Sequence, residues 1–418
     1  MTNEQTAVPA VPWKNDRWFV SPWDFLPEAT QELEFPSKII INDVTLRDGE
    51  QQAGIEFTKD DKIRIADALA EAGVPRIEAG FPGVYTSDYE ALKAIAHRNL
   101  PSEIFSFARC RVDDVKMAVD CGVKGVIVEI PSSQHIINEA YRWPLERAIE
   151  LSIEATLYAK SQGLYTVFFP IDASRSEITW YLDIIEKVAK DGHMDALALV
   201  DTFGVLTPQA VRYFAKRTRE RIKVPLETHF HMDFGLGVAN TIAAVAAGAE
   251  VMHLSVTGTG ERAGNTPLED TVMALLTLYG VDLGIKTEKL YGLSKLVREL
   301  AGLEVPKNRQ VVGDQLFWVE SGIITGWYRN LRESDNLTEM FPYRPEVVGQ
   351  PGVEIVLGKG SGLDSVALWL EKLGIEATDD EMREMLMEVK AKSLENKALL
   401  TEEEFAKIAN ALVTKSKT

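Results

Sequence analysis

The segment ETHFHMD, residues 227–233, places His229 and His231 two positions apart. On a strand that spacing turns both imidazoles to one face, where they can share a divalent metal. The chain has only six histidines, so two in one heptapeptide concentrate its ligating capacity. The bland alternative is a hydrogen-bonded histidine pair at a strand end. A second segment, IINDVTLRDGEQQAG at residues 40–54, closes an apolar run with acids, an arginine and two glutamines. Asp48 can supply the carboxylate that a hard cation needs, with Asp43 competing for that role, and Asn265 in GTGERAGNTPLED can add an amide oxygen. Oxygen donors with two imidazoles and no thiolate suit Mn2+ or Mg2+, with Zn2+ as the alternative. Arg47 carries a fork of donors that can stabilise an enolate or carboxylate oxygen; its plain structural role is a salt bridge to Glu50 or Glu78. The glycines of GTGERAG allow close approach to a ligand but are weak evidence alone.

Such a site needs a scaffold that gathers distant segments. Short β-branched or aromatic runs recur at 39–43, 76–81, 104–109, 125–130, 165–169, 196–201, 224–230 and 251–256. Helix-patterned stretches such as TKDDKIRIADALAEAG and SEITWYLDIIEKVAKDG separate them. The alternation predicts an α/β fold, a (β/α)8 TIM barrel over residues 38–300. An open doubly wound sheet competes, but no dinucleotide glycine fingerprint follows the first run. In a barrel, residues just past the strand ends face one mouth, and Asp48, His229 and His231 are expected to meet there. Residues 1–37, with Trp13, Trp18, Phe19, Trp23 and Phe25, read as an irregular arm covering its own barrel or a partner subunit. Residues 301–352 read as a linker ending in FPYRPEVVGQPG. Residues 353–418 read as a small C-terminal helical subdomain with three amphipathic patterns.

A formal net charge of -18 argues against a nucleic-acid or anionic-membrane surface, while leaving room for a local basic pocket. Cys110 and Cys121 form no CxxC pair, which excludes a cysteine-rich scaffold and argues against a thiolate metal cage. The N-terminal residues lack the pattern of a secretory signal and no stretch has the apolar length of a membrane span, so the expected location is the cytoplasm.

TLRDGEQ, HFHMD and GTGERAGNTPLED, in that order, resemble the DRE-TIM metallolyase superfamily. Within it they resemble the branch of 2-isopropylmalate, homocitrate, citramalate and Re-type citrate synthases. The tail segment EIVLGKGSGLDSVALWLEKLGIE resembles the helical subdomain that follows the barrel in those synthases. The resemblance implies a divalent metal on Asp48, His229 and His231, with Asn265 as a fourth protein ligand. It implies that Arg47 polarises a ketone oxygen, and that Gln51, Glu78, Arg109, Ser133 and His135 of PSSQH, and Thr202 occupy substrate-pocket positions. The implied reaction is a Claisen-like condensation of an acyl-CoA, expected to be acetyl-CoA, with a 2-oxo acid, releasing CoA and a 2-hydroxy-dicarboxylate or tricarboxylate. A homodimer is implied too, and an allosteric C-terminal regulatory domain is not expected at this length.

The departures from that pattern bear on proton transfer. The synthases usually carry histidines in a segment like FxHxSGIH, where this chain has FWVESGIITG with Val319 and Ile324. EDASR becomes IDASR through Ile171, and HND becomes HMD through Met232. Hydrocarbon side chains cannot move a proton, so Asp172, His135, Glu320 and Tyr328 become candidates for the relay. A carbon–carbon lyase of the HMG-CoA lyase type stays open as the second reading, although the glycine-rich loop lacks that enzyme's cysteine. A non-catalytic binding protein is a third, which leaves the Asp48/His229/His231 set without a purpose. Methylene-scale differences in the pocket are what choose the 2-oxo acid.

Overall fold

The eight apolar runs form eight parallel strands that close into one barrel. They are Ile40–Asp43 (β1), Arg76–Glu78 (β2), Glu103–Arg109 (β3), Gly125–Pro131 (β4), Tyr165–Ile171 (β5), Ala196–Asp201 (β6), Leu226–Phe230 (β7) and Val251–Leu254 (β8). Each pairs with the next, and β1 closes on β8 through Ile40 opposite Val251 and Asp43 opposite Leu254. The computed structural model describes residues 11–416, so the first ten residues of the expected arm lie outside the described residues.

Helices follow the strands in turn. Lys59–Ala72 (α1), Thr86–Ala96 (α2), Val112–Cys121 (α3) and Leu145–Ser161 (α4) follow β1 to β4. Ile178–Asp191 (α5), Pro208–Arg221 (α6), Gly237–Val245 (α7) and Leu268–Leu278 (α8) follow β5 to β8. The first of them opens on a reciprocal cap in which Thr58 accepts from the Asp61 backbone N–H and the Asp61 carboxylate accepts from Thr58. The side chains that alternate inward fill the barrel: Phe105 and Phe107 from β3, Ile127 from β4, Val167 and Phe169 from β5, with Ala196, Ala198 and Val200 from β6. Aromatic rings tie this interior together edge to face, Phe107 with Phe169 at 5.4 Å and Phe107 with Phe81 at 5.1 Å. The register fixes which strand-end residues face the mouth.

The chain divides into two compact units: Trp23–Val305, which holds the barrel, and a second unit that joins the segment up to Pro22 with everything from Pro306 onward. The linker expected at 301–352 therefore splits near its start, and most of it folds with the C-terminal helices. In that unit a two-stranded parallel sheet pairs Trp318–Val319 (β9) with Glu354–Ile355 (β10). Its core packs Leu357, Val366, Trp369, Met385, Val389 and Phe405, drawn largely from helices Leu363–Leu373, Asp379–Asn396 and Glu402–Ser416. The aromatic arm is divided too. Phe19 N–H donates to Pro342 O at 2.9 Å and Arg344 N–H to Arg17 O at 2.9 Å, so residues 17–19 pair with the second unit. From Trp23 onward the arm belongs to the barrel unit, where Glu34 N–H donates to Ala246 O at 2.7 Å. Among the described residues no helix is long and apolar enough to cross a membrane.

Candidate active site

At the mouth, the loop after β1 places Arg47 and Asp48 on the entry to a short 3-10 turn, Gly49–Gln51. A buried lysine holds this loop from below: Lys62 Nζ reaches Glu50 Oε2 and Asp88 Oδ1, each at 2.5 Å, and Leu46 O at 3.1 Å. Glu50 in turn accepts from Phe57 N–H at 2.8 Å. Asp43, the competing acid, lies fully buried at the end of β1, where it accepts from the Thr45 backbone and hydroxyl, both at 2.9 Å. Burial pushes its carboxyl up to about 8, against those hydrogen bonds, and it belongs to no ligand cluster.

Asp48, His229 and His231 do converge. All three are buried, and one ligating atom from each lies within 4.8 Å of the others. Burial alone would raise the Asp48 carboxyl. The Arg47 charge is the largest opposing influence and, with the neighbouring imidazoles, holds Asp48 well below the usual carboxylate range. Burial also drives His229 down to about 3, despite the opposing pull of Asp48, so the ring is neutral, as a ligand must be.

A buried chain fixes the orientation of His229. Arg76 donates to Glu227 Oε1 at 2.7 Å, and His253 Nε2 lies 2.7 Å from Glu227 Oε2, so that nitrogen carries the donated proton. His253 Nδ1 is then an acceptor, 3.3 Å from His229 Nδ1. With its proton on Nδ1, His229 presents an Nε2 lone pair 3.4 Å from Asp48 Oδ2. Burial works against the Glu227 charge, but Arg76 and His253 prevail and lower its carboxyl to about 2.

The glycine-rich loop delivers Asn265. Its amide donates to Asp48 Oδ1 at 2.7 Å and to Thr259 O at 3.0 Å, which uses both N–H groups. Asn265 Oδ1 and His231 Nδ1 are left buried without a hydrogen-bond partner. Such orphans are costly unless something binds them, and with the clustered carboxylate and neutral imidazole they fit a divalent cation. The glycines serve this approach directly. A Cβ at Gly260 would lie 2.2 Å from Asn265 Nδ2, and one at Gly264 would lie 1.9 Å from Gly258 O.

Arg47 is fixed beside that set. It pairs with Glu78 through Nε, donates to Asp48 Oδ2 at 2.8 Å and Gln51 Oε1 at 3.2 Å, and stacks 3.8 Å over Phe107. Burial disfavours its charge, but Glu78 and Asp48 more than compensate and raise its pKa. Asn42 holds the other Glu78 oxygen at 3.2 Å, and Arg47 keeps one buried nitrogen unpaired.

A second polar group gathers at the ends of β4, β5 and β6. Asp172 is buried in a left-handed conformation at φ 60° and accepts from Ser133 at 2.6 Å and from Arg175 at 2.6 and 3.0 Å. His135 Nε2 is 3.1 Å from Asp172 Oδ2, with half its side chain exposed. The Thr202 hydroxyl accepts from Asp172 N–H at 2.8 Å, so it stabilises the loop backbone. Arg109 is engaged bidentately by Asp114 at 2.7 and 3.0 Å and also donates to Gly83 O at 3.1 Å. Glu320 and Tyr328 belong to the second unit, where Glu320 accepts from Gly360 N–H at 2.7 Å. Three groups escaped the sequence reading: His253, Glu227 and Glu129. His253 and Glu129 are single charged or ligating residues inside strand-like apolar runs, which leaves their direction to the register, whereas Glu227 stands two positions before His229 and shares its face by the period of the strand.

The comparisons with known proteins agree with this geometry. The chain matches the HMGL-like family over residues 38–297, a span that contains all eight barrel strands. The homocitrate synthase AksA of Methanopyrus kandleri is 40% identical over 367 residues, covering 88% of this chain and 91% of that protein. The 2-isopropylmalate synthase of Methanocaldococcus jannaschii is 38% identical over 366 residues, covering 88% of this chain and 69% of that one. The crystal structure of Bacillus subtilis HMG-CoA lyase superposes with a TM-score of 0.61 at 22% identity, covering 67% of this chain and 99% of that one, a likeness of fold. With the barrel, the strand-end ligand set and near-full-length synthase relatives all in agreement, the chain belongs to the HMGL-like family.

Proposed function

We propose that the protein is a divalent-metal-dependent condensing enzyme that joins an acyl-CoA, acetyl-CoA first, to a 2-oxo acid and releases CoA. The observation that carries this reading is the buried Asp48/His229/His231 cluster with Arg47 hydrogen-bonded to one of its members. The relatives support it: homocitrate and 2-isopropylmalate are both 2-hydroxy acids bearing a carboxymethyl group, the product of adding an acetyl unit to a ketone. In this reading Asp48, His229, His231 and Asn265 hold the metal, which when bound supplies Lewis-acid polarisation of the ketone and carboxylate oxygens. Arg47, clamped by Glu78 and Asp48, offers its remaining N–H group to the oxygen on which charge develops. Ser133 and His135, grouped around Asp172, form a polar wall at the ends of β4 and β5. Water then cleaves the thioester, giving a carboxylic acid and the free CoA thiol.

The test is thiol release from acetyl-CoA with Mn2+, Mg2+ or Zn2+, screened across glyoxylate, pyruvate, oxaloacetate, 2-oxoglutarate and 2-oxoisovalerate. Release that requires one particular acceptor is the expected outcome. Silence with every acceptor, in protein shown to hold metal, refutes the acetyl-CoA condensation and turns attention to carbon–carbon cleavage on the same site.

A further inference from the structure

Glu129 sits at the carboxyl end of β4, two residues past the inward-facing Ile127, and is therefore turned into the barrel. Its register neighbours are Arg109 on β3 and Phe169 on β5. It also lines a cavity of about 470 Å3 together with Arg109, Tyr141, Trp143 and Arg147. A half-buried carboxyl in that place has a structural explanation ready, as counter-ion to the nearby arginines. Both arginines already have carboxylate partners. Arg47 is held by Glu78 and Asp48, and Arg109 is held bidentately by Asp114.

The other carboxylates at the strand ends are occupied as well. Asp48 accepts from Arg47 and Asn265, Glu78 from Arg47 and Asn42, and Asp172 from Ser133 and Arg175. Asp201 accepts from Ser174 at 2.6 Å and from the backbone of Val205 and Leu206 at 3.1 and 2.9 Å. Among the described residues the Glu129 carboxyl accepts no hydrogen bond: the influences on it are burial and the charges of Arg47, Arg109, Asp114 and Glu261. Tyr141, from the loop after β4, also faces it. It is the strand-end carboxyl left free to meet a ligand.

We propose that Glu129 carries the proton of the condensation. Its carboxylate takes a proton from the carbon next to the thioester, and the C–H electron pair moves onto the thioester carbonyl oxygen as an enolate. The enolate carbon bonds to the ketone carbon of the 2-oxo acid, whose oxygen becomes an alkoxide, and Glu129 returns the proton there. No other proton donor or acceptor is required for that sequence. Burial pushes the Glu129 carboxyl up to about 7, against the pull of Arg47 and Arg109, so both protonation states are populated at neutral pH. The inference rests on the condensation reading, with Glu129 as a catalytic residue within it.

Holoenzyme carrying Glu129→Gln or Glu129→Asp is compared with the unaltered protein, using the acceptor that supports CoA release. Glu129→Gln is expected to lower kcat by about 10^2- to 10^4-fold. Bound metal and the KM for the 2-oxo acid stay unchanged, and the rise of kcat with pH through about 7 disappears. Glu129→Asp keeps a base, so it recovers part of the rate and retains that rise. Loss of deuterium from methyl-deuterated acetyl-CoA to solvent follows the same order. A Glu129→Gln enzyme within about threefold of the unaltered rate, with the same pH profile, overturns the proposal, being far below the general-base effect. So does a loss of rate that tracks a loss of metal in both variants. If the unaltered protein releases no CoA with any acceptor, the condensation reading itself has failed, and that is known before any variant is made.

Discussion

At the scale of single residues, the ligand set depends on which nitrogen of His229 is free. The chain Arg76–Glu227–His253–His229 answers that by pairing each donor with one acceptor, ending on an Nε2 lone pair directed at Asp48. Partners of this kind typically change metal affinity by 10–100-fold, because they set ring orientation and basicity. Replacing His253 with Phe keeps a ring in the space and removes the acceptor. Isothermal titration with Mn2+ should then show a Kd weakened by about 10- to 100-fold. An unchanged Kd would mean that His229 is oriented by other contacts. That Asp48, His229 and His231 gather with Asn265 beside them was readable from residue type and spacing. His253 was not, since a lone histidine in VMHLSV carries no spacing signal.

At the scale of elements, the site is held by segments whose own stability is local. The loop from Leu46 to Phe57 is pinned by Lys62 of α1, which satisfies Glu50, Asp88 and a backbone carbonyl in one buried cluster. Asp88 spends its other oxygen on Phe81 N–H at 2.7 Å, tying the loop after β2 into the same cluster. Substituting Lys62 with Met keeps the stem and deletes the charge, leaving two carboxylates near each other in a poorly solvated place. Removing one partner from a buried ion pair costs about 3–5 kcal/mol. Urea titration of Lys62→Met should show a loss of that size as a lower midpoint with an unchanged slope; a loss under about 1 kcal/mol would mean that water solvates the cluster. The helix pattern of TKDDKIRIADALAEAG was evident in the sequence, but a lysine in it reads as a solvated face until α1 is packed against the loop.

At the scale of the whole molecule, the proposed metal site couples ion binding to folding of the barrel, because its residues come from the loop after β1, from β7 and its end, and from the loop after β8. A ligand at about 100 times its Kd stabilises the native state by about 2.7 kcal/mol. For a unit of this size, Mn2+ at that level should raise Tm by about 4–5 °C over chelator-treated protein. His231→Ala should abolish that rise, and a variant that kept the full shift would remove His231 from the ligand set. The second unit joins an N-terminal segment to the C-terminal helices, two stretches separated by the entire barrel sequence.

By itself, the sequence determined the alternation of eight strands with helices and the meeting of Asp48, His229 and His231 at the strand ends. Both follow from short-range rules, period-two burial and the type and spacing of side chains, which survive without a partner segment in view. Only the tertiary structure decided that Asp43 is sealed beneath the mouth, that Asp172 is already saturated by Ser133 and Arg175, and that Glu129 is free. Those outcomes turn on register between β3, β4 and β5 and on competition among arginines brought together from far apart in the chain. The same holds for the arm, whose aromatic composition announced that it packs. Its hydrogen bonds to residues 342–344 arise between segments more than three hundred residues apart, a pairing that composition does not encode.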